Sequence, residues 1–230
     1  MRFGWENSLT GKFAIWERTE YPSESVSFPR ELRLDLVLTG MNKSIALLGG
    51  LLIFSEDIAR QRVSWPQAPL EFDDSVRRVW GELAPRFEID QNPGWTPDNH
   101  TVLILCDNRP YAVPIQSIEK PRQVLLQVRD SAYWTGKMFS IDRVEFAANI
   151  SAFGTRFAED LSFRVAIALL LCGDWRSSEL VVERPKTSSS SSSSSTGVDE
   201  GDLIDLCASI GIKLRVLDTA QLEEMLVYAK

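Results

Sequence analysis

Histidine is almost absent from this chain, and cysteine is scarce. The 230 residues include one histidine, His100, and three cysteines, Cys106, Cys172 and Cys207, with no CxxC pair. A structural zinc site takes four cysteine or histidine ligands with close pairs among them, so the sequence argues against one. Each cysteine lies in an apolar run. We therefore predict that all three are small buried hydrophobic residues in a reducing compartment.

Long apolar runs are lacking as well. The longest are residues 45–54 and 165–172, whereas a membrane helix takes roughly 20 apolar residues. The N-terminal residues 1–6 do not contain the apolar stretch of a signal peptide. These observations predict a cytoplasmic protein without membrane contact.

The common catalytic and cofactor motifs do not occur. The sequence contains neither GxGxxG nor GxxxxGK[ST], and no GxSxG accompanies His100 as a serine hydrolase would require. Adjacent acidic residues such as Asp73 and Asp74 lie at predicted helix starts, where they complement the helix dipole. The sequence thus predicts no cofactor. It favours a protein without enzyme activity but leaves that question open.

Acidic residues outnumber basic ones. There are 32 Asp and Glu against 25 Lys and Arg, which gives a net charge of −7 at pH 7. Such a surface repels phosphate backbones, so we expect no nucleic-acid partner, and it suits a basic protein partner. A small local basic patch formed by Arg60, Arg62, Arg77 and Arg78 stays open as an alternative.

The first 150 residues are dominated by strand patterns. Leucine occupies every second position of 32–38, which predicts a half-buried strand over 31–39. The apolar run 44–54 is predicted as a strand with a bulge or bend at Gly49 and Gly50. Further strands are predicted at 101–105, 111–115 and 123–129, and a pair at 138–141 and 143–146. This succession suggests an antiparallel meander.

The remaining residues alternate between helix and strand. Thr155 is predicted to cap one long helix through Cys172 that is apolar on every side, as in a central core helix. Strands are predicted at 179–184 and 212–217, with the helix 203–210 as their crossover if they pair in parallel. We predict an α+β fold: a mostly antiparallel sheet packed on a long apolar helix, with a small C-terminal β-α-β-α unit.

Composition divides the chain into two regions. Residues 1–150 form a β-rich region and residues 151–230 an α/β region, predicted to share one compact domain. Residues 187–197 are dominated by serine, with eight in succession from Ser188 to Ser195. Such a tract predicts a flexible loop, and the sequence leaves open whether the tract is natural.

A short segment near the C-terminus suggests nuclease chemistry. Residues 203–218, LIDLCASIGIKLRVLD, resemble the closing helix–strand unit of restriction-endonuclease-like domains. The resemblance implies a divalent metal held by an acidic residue on one strand and Glu-x-Lys on the next. ERPK at 183–186 is the nearest match, with one residue too many and a proline. Asp174, Glu183 and Lys186 are therefore the catalytic candidates of a divergent or degenerate nuclease.

Tryptophan is abundant, with seven in the chain. Trp65, Trp95 and Trp134 lie in turn-like sequences, and Trp95 shares the segment 91–100 with His100. Tryptophan anchors many protein interfaces. We therefore predict a non-enzymatic interaction protein (an inhibitor, an immunity-like protein or a complex subunit) that uses these four residues. The alternatives are the nuclease and a small-molecule sensor with a pocket beside residues 165–172.

Overall fold

The computed structural model describes residues 1–18, 30–54, 61–90, 97–107, 121–140, 142–185 and 198–227. This part of the chain contains both helices and strands, so the predicted α+β class is confirmed. The strands are β1 (Arg2–Asn7), β2 (Phe13–Arg18), β3 (Glu31–Leu34), β4 (Arg62–Ala68), β5 (Arg86–Ile89), β6 (Asp98–Leu105), β7 (Arg122–Asp130), β8 (Lys137–Phe139), β9 (Arg143–Ala148), β10 (Ser177–Glu183) and β11 (Lys213–Leu217). The helices are α1 (Lys43–Ile53), α2 (Leu70–Trp80), α3 (Arg156–Glu159), α4 (Leu161–Trp175), α5 (Glu200–Ala208) and α6 (Thr219–Val227).

The strands form a sheet in the order β11-β10-β6-β7-β9-β3-β2-β1-β4-β5, with β8 beside β9. Six of the ten pairings between the described strands are parallel. The predicted mostly antiparallel sheet is therefore wrong. The physical reason lies in β6, β7 and β10, whose apolar residues run almost without interruption because packed side chains cover both faces, as is usual in parallel sheets.

Five neighbouring strands, β11, β10, β6, β7 and β9, are mutually parallel. The first of these five strands along the chain is β6; β7 and β9 follow on one side of it, and β10 and β11 then lie on the other side. Strands β10 and β11 do pair in parallel, so the condition left open above is met and helix α5 lies in the connection between them. Pairing between β6 and β10 also joins the two predicted regions, whose boundary at residue 150 stays a prediction.

The apolar run 44–54 forms helix α1, so the predicted strand is wrong. Asn42 caps the helix, because its side-chain oxygen accepts a hydrogen bond from the Ile45 N–H at 2.9 Å. Every residue from Ser44 to Ile53 is buried. Periodicity does not distinguish a helix that is buried all round from a buried strand, which accounts for the error.

The long helix predicted from Thr155 is also wrong, since two helices meet at Asp160. The Asp160 carboxylate accepts hydrogen bonds from the N–H groups of Ser162 at 2.9 Å and Phe163 at 3.4 Å, and so caps α4. The prediction ran one helix through this residue, whereas it marks the boundary between two. Helix α4 is buried from Ser162 to Gly173 and packs against α1.

Both faces of the parallel strands carry apolar clusters. One face belongs to the main core, together with α1, α4 and α5. The opposite face forms a smaller cluster with α6, in which Leu222 and Leu226 pack with Ile104, Leu125 and Val181. The three cysteines are buried, as predicted. Within the described residues, no helix is both long and apolar enough to cross a membrane.

Candidate partner-binding site at the β7–β8 turn

Two of the residues predicted to bind a partner, Trp65 and Trp134, lie in different parts of the sheet. Trp65 on β4 is 37% exposed, and its ring stacks on Trp5 with 4.7 Å between centroids. Trp134 follows β7, and four strands separate β7 from β4 in the sheet. His100 is exposed on β6, and Trp95 lies outside the described residues. The structure thus places Trp65 and Trp134 at separate sites.

The nuclease candidates are also apart. Asp174 precedes β10 and accepts a hydrogen bond from the Thr39 N–H at 2.7 Å, whereas Glu183 is the last residue of β10. A seven-residue strand puts roughly 20 Å between them. Lys186 lies outside the described residues. Among the residues that the structure does describe, no group of three or more His, Cys, Asp or Glu side chains could hold a metal ion.

Polar side chains meet at the carboxyl ends of β6 and β10, where open parallel sheets commonly bind ligands. The Glu183 carboxylate accepts hydrogen bonds from the Asp107 N–H at 2.7 Å and from the Thr219 hydroxyl at 2.8 Å. The Asp107 carboxylate forms an ion pair with Arg164 at 2.7 Å, and Arg164 is 1% exposed. Since these groups bind one another, they hold β6, β10, α4 and α6 together. No local sequence pattern marks this ion pair, because its partners are 57 residues apart.

The turn between β7 and β8 is fixed by its own hydrogen bonds. The Asp130 carbonyl accepts from the N–H groups of Tyr133 and Trp134, both at 3.0 Å. The Asp130 carboxylate accepts from the Ala132 N–H at 3.0 Å and the Ser151 hydroxyl at 3.1 Å. These bonds hold the aromatic residues of the turn in one backbone conformation.

Large apolar side chains project from this turn and from β8. Tyr133 is 90% exposed, and Met138 and Phe139 are each 54% exposed. Trp134 is partly exposed and lines a cavity of about 370 Å³. We call this the Arg129 cavity; its lining residues are Arg129, Asp130, Tyr133, Trp134 and Glu145. Met138 lies beside it, because Met138 is the β8 partner of Glu145 on β9.

The Arg129 cavity carries an excess of negative charge. The half-exposed Arg129 guanidinium forms an ion pair with the buried Glu145 carboxylate. Asp130 contributes a second carboxylate whose described hydrogen bonds come from uncharged groups. The lining thus has one cationic and two anionic side chains and is negative overall, so it favours binding of a cationic group.

The sequence indicated this site through one residue. Trp134 was predicted, whereas Arg129, Tyr133, Met138 and Glu145 were not. The signal was the segment YWTGKMF at 133–139, in which four large apolar residues flank a turn. When so many apolar residues surround a turn, we expect some of their side chains to be exposed to solvent.

Comparison with protein-family models, with curated proteins and with solved structures found no match to this chain. Functional inference therefore rests on the residues of the site.

Proposed function

We propose that this chain is a non-enzymatic interaction protein that binds another protein at the Arg129 cavity. Tyr133, Trp134 and Met138 would supply the apolar contacts. The observation that carries the proposal is the 90% exposure of Tyr133 on a turn fixed by hydrogen bonds. A side chain on a backbone that is already ordered loses less conformational entropy on binding. Tyr, Trp and Arg are also the residues that contribute most of the binding energy in many interfaces.

The partner would present a Lys or Arg side chain to the cavity. Asp130 and Glu145 together outweigh the charge of Arg129, and the chain as a whole carries a net charge of −7. Local and overall charge therefore both favour a basic partner and speed its approach. An inhibitor, an immunity-like protein or a complex subunit would each fit this description.

The two alternatives draw less support from the contacts. A nuclease would need Asp174 and Glu183 near one metal ion, but Asp174 lies in the last turn of α4, before β10 begins, and Glu183 is the last residue of β10. A sensor would need space beside residues 165–172. Helix α1 packs closely there, since a β-carbon on Gly49 would lie 2.9 Å from the Leu170 side chain.

Affinity capture from an extract of the native cells tests the proposal, with the intact protein and two variants as bait. Tyr133→Ala removes the most exposed ring of the site. Leu9→Ala is the matched control, because Leu9 is also an exposed apolar residue, in the turn between β1 and β2. We expect one stoichiometric basic protein to bind wild type and Leu9→Ala but to be depleted on Tyr133→Ala.

A partner retained equally by Tyr133→Ala and Leu9→Ala would contradict the proposal. The charge component is tested with Glu145→Gln, which makes the lining neutral. With the captured partner purified, binding to Glu145→Gln should be weaker and less sensitive to salt than binding to wild type, because screening acts on the charge that was removed.

A further inference from the structure

A second cleft is lined by β1 and its two neighbours in the sheet, β2 and β4, which β9 and β3 separate from β7. Its volume is about 480 Å³. We call it the Trp65 cleft; the lining residues that matter here are Arg2, Gly4, Trp16, Arg18, Trp65 and Glu88. The cleft combines two indole rings with two guanidinium groups, a pairing that the Arg129 cavity lacks.

Both indole rings pack against other parts of the protein. Trp65 stacks on Trp5 with an interplanar angle of 19°. Trp16 lies against the backbone of Gly4, since a β-carbon on Gly4 would be 2.6 Å from the Trp16 ring. Each ring is thus held in place before any ligand arrives, which lowers the entropy that binding would cost.

The cleft is positively charged on an acidic protein. Arg2 and Arg18 form no ion pair with any residue that the structure describes. The Arg2 Nε donates to the Ser64 hydroxyl at 3.3 Å, and the Arg18 guanidinium lies 5.8 Å from the Trp16 ring centre. Glu88 is already paired with Arg62 at 3.3 Å. Within the described part of the chain, no carboxylate pairs with either guanidinium group, so both can bind an anion.

We propose that the Trp65 cleft binds a nucleotide unit, with the base stacked on an indole ring and the phosphate bound by Arg2 and Arg18. Aromatic rings stack on every base, and guanidinium groups bind phosphate through paired hydrogen bonds. An acidic protein segment would satisfy the arginines but would leave the indole faces without a planar partner.

The net charge of −7 does not oppose this site. Charges farther apart than about 8 Å are largely screened at physiological salt, so the residues at the cleft decide. The expectation that nucleic acid is not a partner came from the whole-chain charge. The same chemistry could be supplied by a free nucleotide or by a single-stranded nucleic acid, and the test separates these sources.

The test measures the fluorescence anisotropy of a fluorescein-labelled oligodeoxythymidylate as the full chain is titrated in, at several salt concentrations. Unlabelled ADP and inorganic phosphate serve as competitors. The variants are Trp65→Ala and Arg18→Gln. Arg215→Gln is the control because it removes the same charge as Arg18→Gln, but from an exposed residue on β11, at the other end of the sheet.

We expect Trp65→Ala to weaken oligonucleotide binding about fivefold or more, the usual effect of losing one stacking ring. Arg18→Gln should weaken binding and lower the slope of log affinity against log salt by about 0.7, the value for one phosphate contact on a single strand. Arg215→Gln should bind as wild type does. If Trp65→Ala does not fold, as judged by circular dichroism, Trp65→Phe should fold and bind with intermediate affinity.

The competitors identify the source of the ligand. If ADP binds as tightly as the oligonucleotide, as judged by competition, a free nucleotide is supported as the ligand. If ADP binds more weakly, a single-stranded nucleic acid is supported. Equal displacement by ADP and by inorganic phosphate would overturn the stacking role of the indoles. Failure of both the oligonucleotide and ADP to bind, or equal losses in Arg18→Gln and Arg215→Gln, would overturn the site.

Discussion

Gly40 and Gly173 are in direct backbone contact, and neither has room for a β-carbon. A β-carbon on either residue would overlap the carbonyl oxygen of the other. The contact joins the end of α4 to the segment before α1. Asp174, next to Gly173, reinforces it by accepting hydrogen bonds from the N–H of Thr39 at 2.7 Å and from its hydroxyl at 3.1 Å.

Substitution of Gly173 by alanine tests how tightly this contact is packed. In an unhindered helix, alanine would stabilise the protein by about 1 kcal/mol relative to glycine. Here we expect Gly173→Ala to lower the free energy of unfolding by about 1–3 kcal/mol, because the backbones must separate. Urea denaturation measures the change. A stabilised Gly173→Ala variant would show that the two backbones are not in contact.

Glu183 is the next position at which we expect a large loss of stability. Glu183→Ala leaves the Asp107 N–H and the Thr219 hydroxyl without their buried acceptor. The cost should be about 1–3 kcal/mol in the free energy of unfolding, since a buried donor without a partner loses its solvation. Thr219→Ala removes one donor and leaves the carboxylate bonded to Asp107, so its loss in the same urea experiment should be smaller. Equal stability of Glu183→Ala and wild type would argue against this role.

The sequence predicted the positions of most elements better than their pairing. Apolar runs correctly predicted the positions of β6, β7 and β10. Whether neighbouring strands are parallel or antiparallel depends on how the chain connects them, and the residues of a strand do not encode this. In α1 the run of apolar residues concealed the helix, and Gly49 and Gly50 were interpreted as a bulge. These two glycines instead allow close packing around the helix: Gly49 contacts the Leu170 side chain, and Gly50 contacts the ring of Phe3.

The candidate sites were predictable only where one residue type carried the signal. Trp65 and Trp134 were found because tryptophan in a turn-like sequence is conspicuous. Arg129 and Glu145 were missed because neither is unusual in sequence, and they meet only when β7 and β9 pair. Arg2 and Arg18 likewise lie 16 positions apart and share a cleft because β1 and β2 pair, with Arg2 directly opposite Arg18.

The cysteine thiols should be chemically inert in the folded protein. Burial, helped by the neighbouring Glu183 carboxylate, raises the pKa of Cys106 to about 12, and burial raises the pKa of Cys207 to about 12. Burial raises the pKa of Cys172 as well. Because the thiolate is the reactive form, we expect negligible alkylation by iodoacetamide at pH 8 without denaturant and complete alkylation in urea. Mass spectrometry counts the modified sites. Rapid native alkylation of Cys106 would mean that the carboxyl end of β6 is open to solvent.

Low pH should destabilise the protein by protonating Asp35, whose carboxylate accepts a hydrogen bond from Gly136 in the turn between β7 and β8. Burial by itself would raise the pKa of this carboxyl, but the Gly136 N–H, which donates to it at 2.8 Å, together with Lys12 and Lys137, lowers the pKa below its ordinary value of 3.8. A carboxyl whose pKa is lower in the folded state stabilises the fold above its unfolded pKa, and this contribution disappears as the pH falls through the folded pKa.

Asp35→Asn keeps an acceptor for the Gly136 N–H but removes the charge, so it isolates this effect. We expect wild type to be the more stable protein at pH 7, and its advantage over Asp35→Asn to diminish as the pH falls below about 4, where the carboxyl begins to be protonated. Urea denaturation of both proteins at a series of pH values measures the difference. A constant difference from pH 7 to pH 3 would show that the Asp35 charge does not stabilise the segment that leads from Tyr133 into β8.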